Sequence, residues 1–358
     1  MKIEVYSPTI RRKEMDAVLT ALVEDRIGPG EQAKGLIQIA REKLEFDYCI
    51  AFRSPAPALS TALKSLGLEA GQGVILSALS PLYYRNVIDD LGLKALYADV
   101  HPGSPVISRE TVEKALNSRP AGLDVRAVIL HHTLGYLPDS ASVSELGLPV
   151  IEDSSQSYGS NGSRDSSGNN AVLTILGLEE RDMLTAGGGA LLYAKNRRDA
   201  AILKDYGSLP PEYGLPDMNA AMGVAQFRGA AKNLERRQTI AEAYNKAANR
   251  TRHKRFVQDF SDTGDQTDES GSVNGGYNNY AFSLILETGM KEVKAYARRK
   301  EIIVESAFES TLAGAGIVTA EQCPVSYSLS LRTVLFPLYP RLHTGDIEKV
   351  SRLIVTLP

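Results

Sequence analysis

The sequence predicts an α/β protein, with a large, mostly parallel seven-stranded sheet covered by helices and then a small C-terminal α+β unit. Two observations carry this expectation. From about residue 10 to 250, helix-like amphipathic stretches alternate with short β-rich runs, as they do where parallel strands are joined by crossover helices. The chain has 358 residues and 43% hydrophobic content, enough to bury a large core and to divide into one big domain and a smaller one.

The strand candidates are CIAF at 49–52, GVILSA at 73–78, KALYADV at 94–100, AVILHH at 127–132, PVIEDS at 149–154, AVLTIL at 171–176 and GALLYA at 189–194. Between them lie helix-like segments at 57–68, 84–92 and 108–116, each opening near a Pro or Ser as a helix start does. The stretch 218–252 reads as one or two helices leaving the first domain. Residues 258–279 are rich in Ser, Gly and Asp with few apolar positions, which predicts a mobile loop. Beyond it the pattern gives a strand at 280–286, a helix at 290–300, a strand at 302–306 and a last helix at 345–357. The expected division is a large domain over 1–245 and a small one over 246–358.

Charge excludes some functions. A net charge of −3, from 40 basic and 43 acidic residues spread along the chain, gives no electrostatic case for nucleic acid or an anionic membrane. No run of roughly 18 apolar residues is present, and the start has no apolar signal core, so a cytoplasmic protein is expected. Cys49 and Cys323 are far apart and outside any CxxC, which predicts buried thiols rather than a disulfide framework or zinc site. The adjacent His131 and His132 point to opposite faces of a strand and cannot easily share a metal, so no metal site is expected.

Several strings are more specific. IGPGEQAKGLIQIAREKLEFDYCIAFRS (27–54), HHTLGYLPD (131–139), VIEDSSQSYGS (150–160), MLTAGGGALLY (183–193), the helix region 218–244 and the closing segment 323–350 together resemble the DegT/DnrJ/EryC1/StrS family of nucleotide-sugar aminotransferases and dehydratases. The resemblance covers essentially the whole chain. It implies a fold type I transferase with PLP or PMP at the C-terminal edge of the sheet, a nucleotide-sugar substrate, and a homodimer or a heteromer with an active paralogue.

The protein must give PLP an imine amine, an acid for the pyridine nitrogen, a donor near the phenolic oxygen, a phosphate cup and ring support. By resemblance, Asp153 is the acid and Gln156 the phenolic-oxygen donor; read without it, Asp153 is a turn former or N-cap. The amine is missing. The family lysine falls on Arg181, or on Asp182 if the glycines shift by one, and no lysine lies between Lys114 and Lys195. A guanidinium stays protonated and cannot readily form an imine. The family's Ser-Gly-Thr cup is Ser54-Pro55-Ala56 here, with Thr174 standing for a further phosphate contact. The stacking aromatic is Pro81, with Tyr83 and Tyr84 either compensating or packing in the following helix; the family histidine after the Gln has become Tyr158.

Substrate candidates are His132, Tyr158 and Arg181. Arg181 either binds a phosphate or carboxylate, or pairs with Glu152, Asp153 or Glu179 and fills the vacated site. Three functions fit this pattern: a non-catalytic binding or scaffold homologue, an enzyme holding PLP or PMP noncovalently, and a transaminase borrowing a lysine such as Lys195 or one from a dimer partner.

Overall fold

The computed structural model describes all residues except 1, 26, 161–167, 205, 207–209, 258–275 and 288. The elements in order are α1 (Arg12–Val23), α2 (Glu31–Leu44), β1 (Tyr48–Phe52), α3 (Pro55–Ser65), β2 (Gly73–Ser77), α4 (Leu82–Asp90), β3 (Lys94–Ala98), α5 (Arg109–Asn117), β4 (Val125–His131), α6 (Ser140–Ser144), β5 (Val150–Asp153), β6 (Leu173–Gly177), β7 (Ala190–Ala194) and α7 (Arg197–Lys204). They are followed by α8 (Asp217–Ala248), β8 (Phe282–Ile285), α9 (Met290–Arg299), β9 (Glu305–Ser306), α10 (Pro324–Arg332), β10 (Thr333–Phe336) and α11 (Thr344–Val355).

All seven expected strands form one sheet in the order β1-β7-β6-β5-β4-β2-β3. Strand β7 runs antiparallel to both neighbours, so the other six strands share one direction. β2, β5, β6 and β7 are buried along their whole length, as strands covered by helices on both faces must be. The C-terminal ends of the six parallel strands therefore collect along one edge, where ligands sit in open α/β sheets.

The small sheet has the order β8-β10-β9. Its central strand, β10, was not expected from the sequence: Thr333–Phe336 is a four-residue run between α10 and a Pro, too short to stand out. The strand expected at 302–306 shortens to β9, because Ile302 instead pairs in parallel with Ile3 at the other end of the chain.

The apolar contacts do not follow a single cut at residue 245. Ile3 packs with the small-domain core of Tyr244, Phe282 and Val350, while Phe308, Leu312 and Leu329 pack into the large-domain core. The cut also falls inside α8, one continuous 32-residue helix. Most of the loop expected to be mobile, 258–275, lies outside the described residues. Its last part, 276–279, packs closely: Tyr277 donates to the Leu134 carbonyl at 2.7 Å, and Asn278 Nδ2 to the carbonyls of Gln156 and Tyr158.

Candidate functional site

Asp153 ends β5 at the shared C-terminal edge, and its carboxylate is fully engaged. Oδ2 accepts from the hydroxyls of Tyr83 at 3.1 Å and Tyr84 at 2.6 Å; Oδ1 accepts from the Ser155 N–H at 3.0 Å and from the Ser155 hydroxyl. A carboxylate has about four acceptor positions, and all are filled by this chain. Ser155 Oγ in turn accepts from the Gly177 N–H at 2.7 Å, tying the ends of β5 and β6 together.

Tyr83 and Tyr84 lie in the following helix, and their hydroxyls also reach Asp153. They open α4 after Pro81, which sits at its N-cap, and their rings meet edge to face with centroids 4.8 Å apart. Burial and then the Asp153 charge push both hydroxyls well above the ordinary tyrosine range, so they remain donors. Sequence reasoning missed this arrangement. The available signal was a Tyr-Tyr pair where an aromatic ring support was sought: a buried Tyr hydroxyl needs a polar partner.

Arg181 and Asp182 turn opposite ways. Arg181 does not pair with Glu152, Asp153 or Glu179. It reaches out to Glu305 of the small sheet at 2.7 Å and lies 5.7 Å from the centre of the Tyr6 ring. Asp182 turns inward, its Oδ2 accepting from the Glu179 N–H at 2.8 Å and approaching Gly177 and Ser155. Burial, and then the Asp153 charge, raise the Asp182 carboxyl well above the usual carboxylate range. Where the imine amine was sought, the inward group is thus a second carboxyl. Burial also pushes the nearby Tyr6 hydroxyl up to about 12.

The cup position is poor in donors. Ser54 is the N-cap of α3 and makes no capping hydrogen bond, and Pro55 occupies the first helical position. Pro57, a signal overlooked in the sequence, removes another N–H from the same turn, so Ala56 supplies the only N–H of the first three helical residues. Thr174 does not fit the role of phosphate contact. In register it opposes Glu152, while Asp153 opposes Ile175, which puts Thr174 on the other sheet face and toward the opposite edge. Gly177, on the Asp153 face, has no side chain to offer. Lys195 follows β7 at that same far edge, level with the start of β6 and on the order of 15 Å from Asp153 by strand rise; its Nζ lies 2.6 Å from Asn169 Oδ1.

The remaining candidates are structurally occupied. Gln156 Oε1 accepts from the Leu134 N–H at 2.7 Å. His132 is 1% exposed, with Nδ1 2.7 Å from Ser157 Oγ and Nε2 3.3 Å from Glu152 Oε2. Burial alone would raise the Glu152 carboxyl, but His132 and the Gly168 N–H outweigh it and hold it below the usual range. His131 faces the other way, toward Tyr84, and burial lowers it to about 4. Tyr158 packs edge to face on Phe227 beside a cavity between α2 and α8. Among the described residues no group of three His, Cys, Asp or Glu side chains could hold a metal. No helix there is long and apolar enough to cross a membrane.

Sheet order, strand-end carboxylate and paired small sheet define a fold type I aminotransferase architecture. The chain belongs to the DegT/DnrJ/EryC1/StrS aminotransferase family, whose profile matches residues 8–355. A curated relative is EpsN of Bacillus subtilis strain 168, provisionally described as a pyridoxal phosphate-dependent aminotransferase. It is 22% identical over 333 residues, 85% of this chain and 80% of the relative. Among solved structures, the PLP form of Spr1654 from Streptococcus pneumoniae, provisionally described as a sugar aminotransferase, superposes with a TM-score of 0.85 at 16% identity, covering 99% of this chain and 98% of that one. A histidine-to-asparagine variant of GDP-4-keto-6-deoxymannose-3-dehydratase with bound GDP-perosamine gives 0.80 at 13% identity, covering 98% and 100%.

Proposed function

We propose that this protein is a sugar-aminotransferase homologue that does not carry out PLP-dependent transamination and serves as a cytoplasmic binding or scaffold member of a nucleotide-sugar or polysaccharide pathway. One observation carries the reading: every acceptor position of Asp153 is filled from within the chain, by Tyr83, Tyr84 and Ser155. A pyridinium N–H could bind there only by displacing a tyrosine or Ser155, and leaving a buried hydroxyl unpaired costs about 1–3 kcal/mol. The donor set does not fit a PLP-type cofactor: Asp182 stands inward where an amine is needed, and Pro55 and Pro57 reduce the phosphate cup.

The complex of the dehydratase relative with GDP-perosamine supports a nucleotide sugar as the retained ligand. A homodimer, or a heteromer with an active paralogue, is supported by the outer face of α1, where Met15, Leu19, Leu22 and Val23 are 43–84% exposed. The alternative is a noncovalently held PLP or PMP; the favouring observation is that Asp153 is still present and buried at the strand end.

The test is to incubate the purified protein with PLP or PMP, remove the excess, and record visible absorbance and intact mass before and after borohydride. We expect no retained chromophore and no mass increase, with a UDP-, dTDP- or GDP-sugar binding in calorimetry. A chromophore that borohydride fixes to the protein would overturn the reading. PMP retained without covalent attachment would establish the alternative.

A further inference from the structure

The geometry points to a second binding site, remote from Asp153, that takes an acidic amphipathic helix of a partner protein. It is a groove of about 1040 Å³ in the small domain, where the C-terminal halves of α8, α9 and α11 meet. Ala247, Ile302 and Leu353 are buried beneath it and Tyr296 lines one side, so its floor is apolar.

The rim is strongly cationic. Lys246, Arg250, Lys300, Lys349 and Arg352 line the groove with Glu301 as the single acid, a local charge of +4 (five minus one) in a chain whose net charge is −3. Cations near helix C-termini are ordinary, since they complement the helix dipole. These differ from cations elsewhere in the chain, such as Arg85 with Asp89 and Arg109 with Glu113, which meet carboxylates at 2.7 and 2.9 Å. Among the described residues none of the five rim cations forms such a pair. Lys300 lies 5.8 Å from the centre of the Tyr296 ring, and Arg352 reaches only a backbone carbonyl of its own helix.

Two features favour a helix over a small anion. The volume stands at the upper end of small-molecule cavities, roughly 300–1,000 Å³, and two turns of a helix about 10 Å across fill a space of that order. The cations are also spread along both sides of the groove, with Lys246 in the last turn of α8, Arg250 just past its end, and Lys349 and Arg352 three apart on α11. Cations on two sides of an apolar floor match carboxylates on both flanks of an apolar stripe. A single phosphate would call for convergence on one point.

The probe is a labelled synthetic helix with leucines on one face and glutamates on both flanks, titrated into the full chain by fluorescence anisotropy. Saturable binding is expected, weakened at least about tenfold in Lys246→Glu/Lys349→Glu and again in Arg250→Glu/Arg352→Glu. All four side chains are on exposed residues, and an unchanged melting temperature checks that the variants fold. No saturable binding, equal binding by the charge-reversed variants, or equal binding of a sequence-scrambled peptide overturns the proposal. So does competitive displacement by UDP, which would make this a small-anion site.

Discussion

Asp153 and Asp182 are two carboxyls at one strand edge with different partners. Asp153 has two hydroxyls, a serine and a backbone N–H; Asp182 has the Glu179 N–H and the unfavourable charge of Asp153. Because its folded-state proton affinity is raised, ionising Asp182 opposes folding. The resulting penalty is absent below about pH 4, the range of a carboxyl in the unfolded chain, and grows as pH rises through the elevated folded value. Asp182→Asn keeps an acceptor for the Glu179 N–H and removes the charge. It should therefore be more stable than the parent in urea at neutral pH, with the gain vanishing toward pH 4. The readout is the difference between the proteins, because His131, lowered to about 4, acts oppositely and costs stability as pH falls from about 6.5. A parent as stable as the variant at pH 7 would show that Asp182 is not held near Asp153. The lack of any lysine between Lys114 and Lys195 was legible in the sequence because it depends only on which residue types are present. The direction each replacement takes was not: Arg181 and Asp182 are adjacent, and tertiary contacts with Glu305 and Gly177 decide which points out.

At the scale of elements, the strands of the large sheet were readable because each is a short apolar run bounded by turn residues, and burial on both faces makes such runs continuous. The small sheet was harder, since β9 and β10 draw their pairing from distant segments that no local pattern records. Helix α1 shows what an element can leave unfinished. Its inner side meets α8, with Ala21 1% exposed, while Leu19 and Val23, four residues apart, are 55% and 84% exposed. In the proposed dimer or heteromer, a helix with apolar side chains on both sides is the expected contact with a second subunit. Leu19→Glu/Val23→Glu should leave the melting temperature of the subunit within a few degrees and shift sedimentation velocity toward the monomer. An unchanged oligomer would exclude α1 from the interface.

For the whole molecule, the question is what couples the two cores. Helix α8 runs through both, with Phe227 in the outer cluster of the large domain and Ile240 and Tyr244 in the small one. Between them Arg237, 5% exposed, donates to the carbonyls of Asn279, Tyr280 and Leu338 at 3.1, 2.8 and 3.2 Å. The 277–280 strand entry that it holds is the same segment that Tyr277 and Asn278 fasten to Leu134, Gln156 and Tyr158 of the large domain. Burial lowers the Arg237 pKa, yet its ordinary value is so high that it stays charged. Arg237→Met preserves the apolar stem and removes every donor, leaving up to three buried carbonyls unpaired at about 1–3 kcal/mol each. The loss concentrates on one junction rather than on either core. Scanning calorimetry of the variant should therefore show the transition of the parent lowered and split, with the small domain unfolding first. Arg228→Met, on an exposed turn of the same helix, should leave the transition in place. A single, merely lowered transition in Arg237→Met would mean that α8 packing alone makes the two cores one cooperative unit.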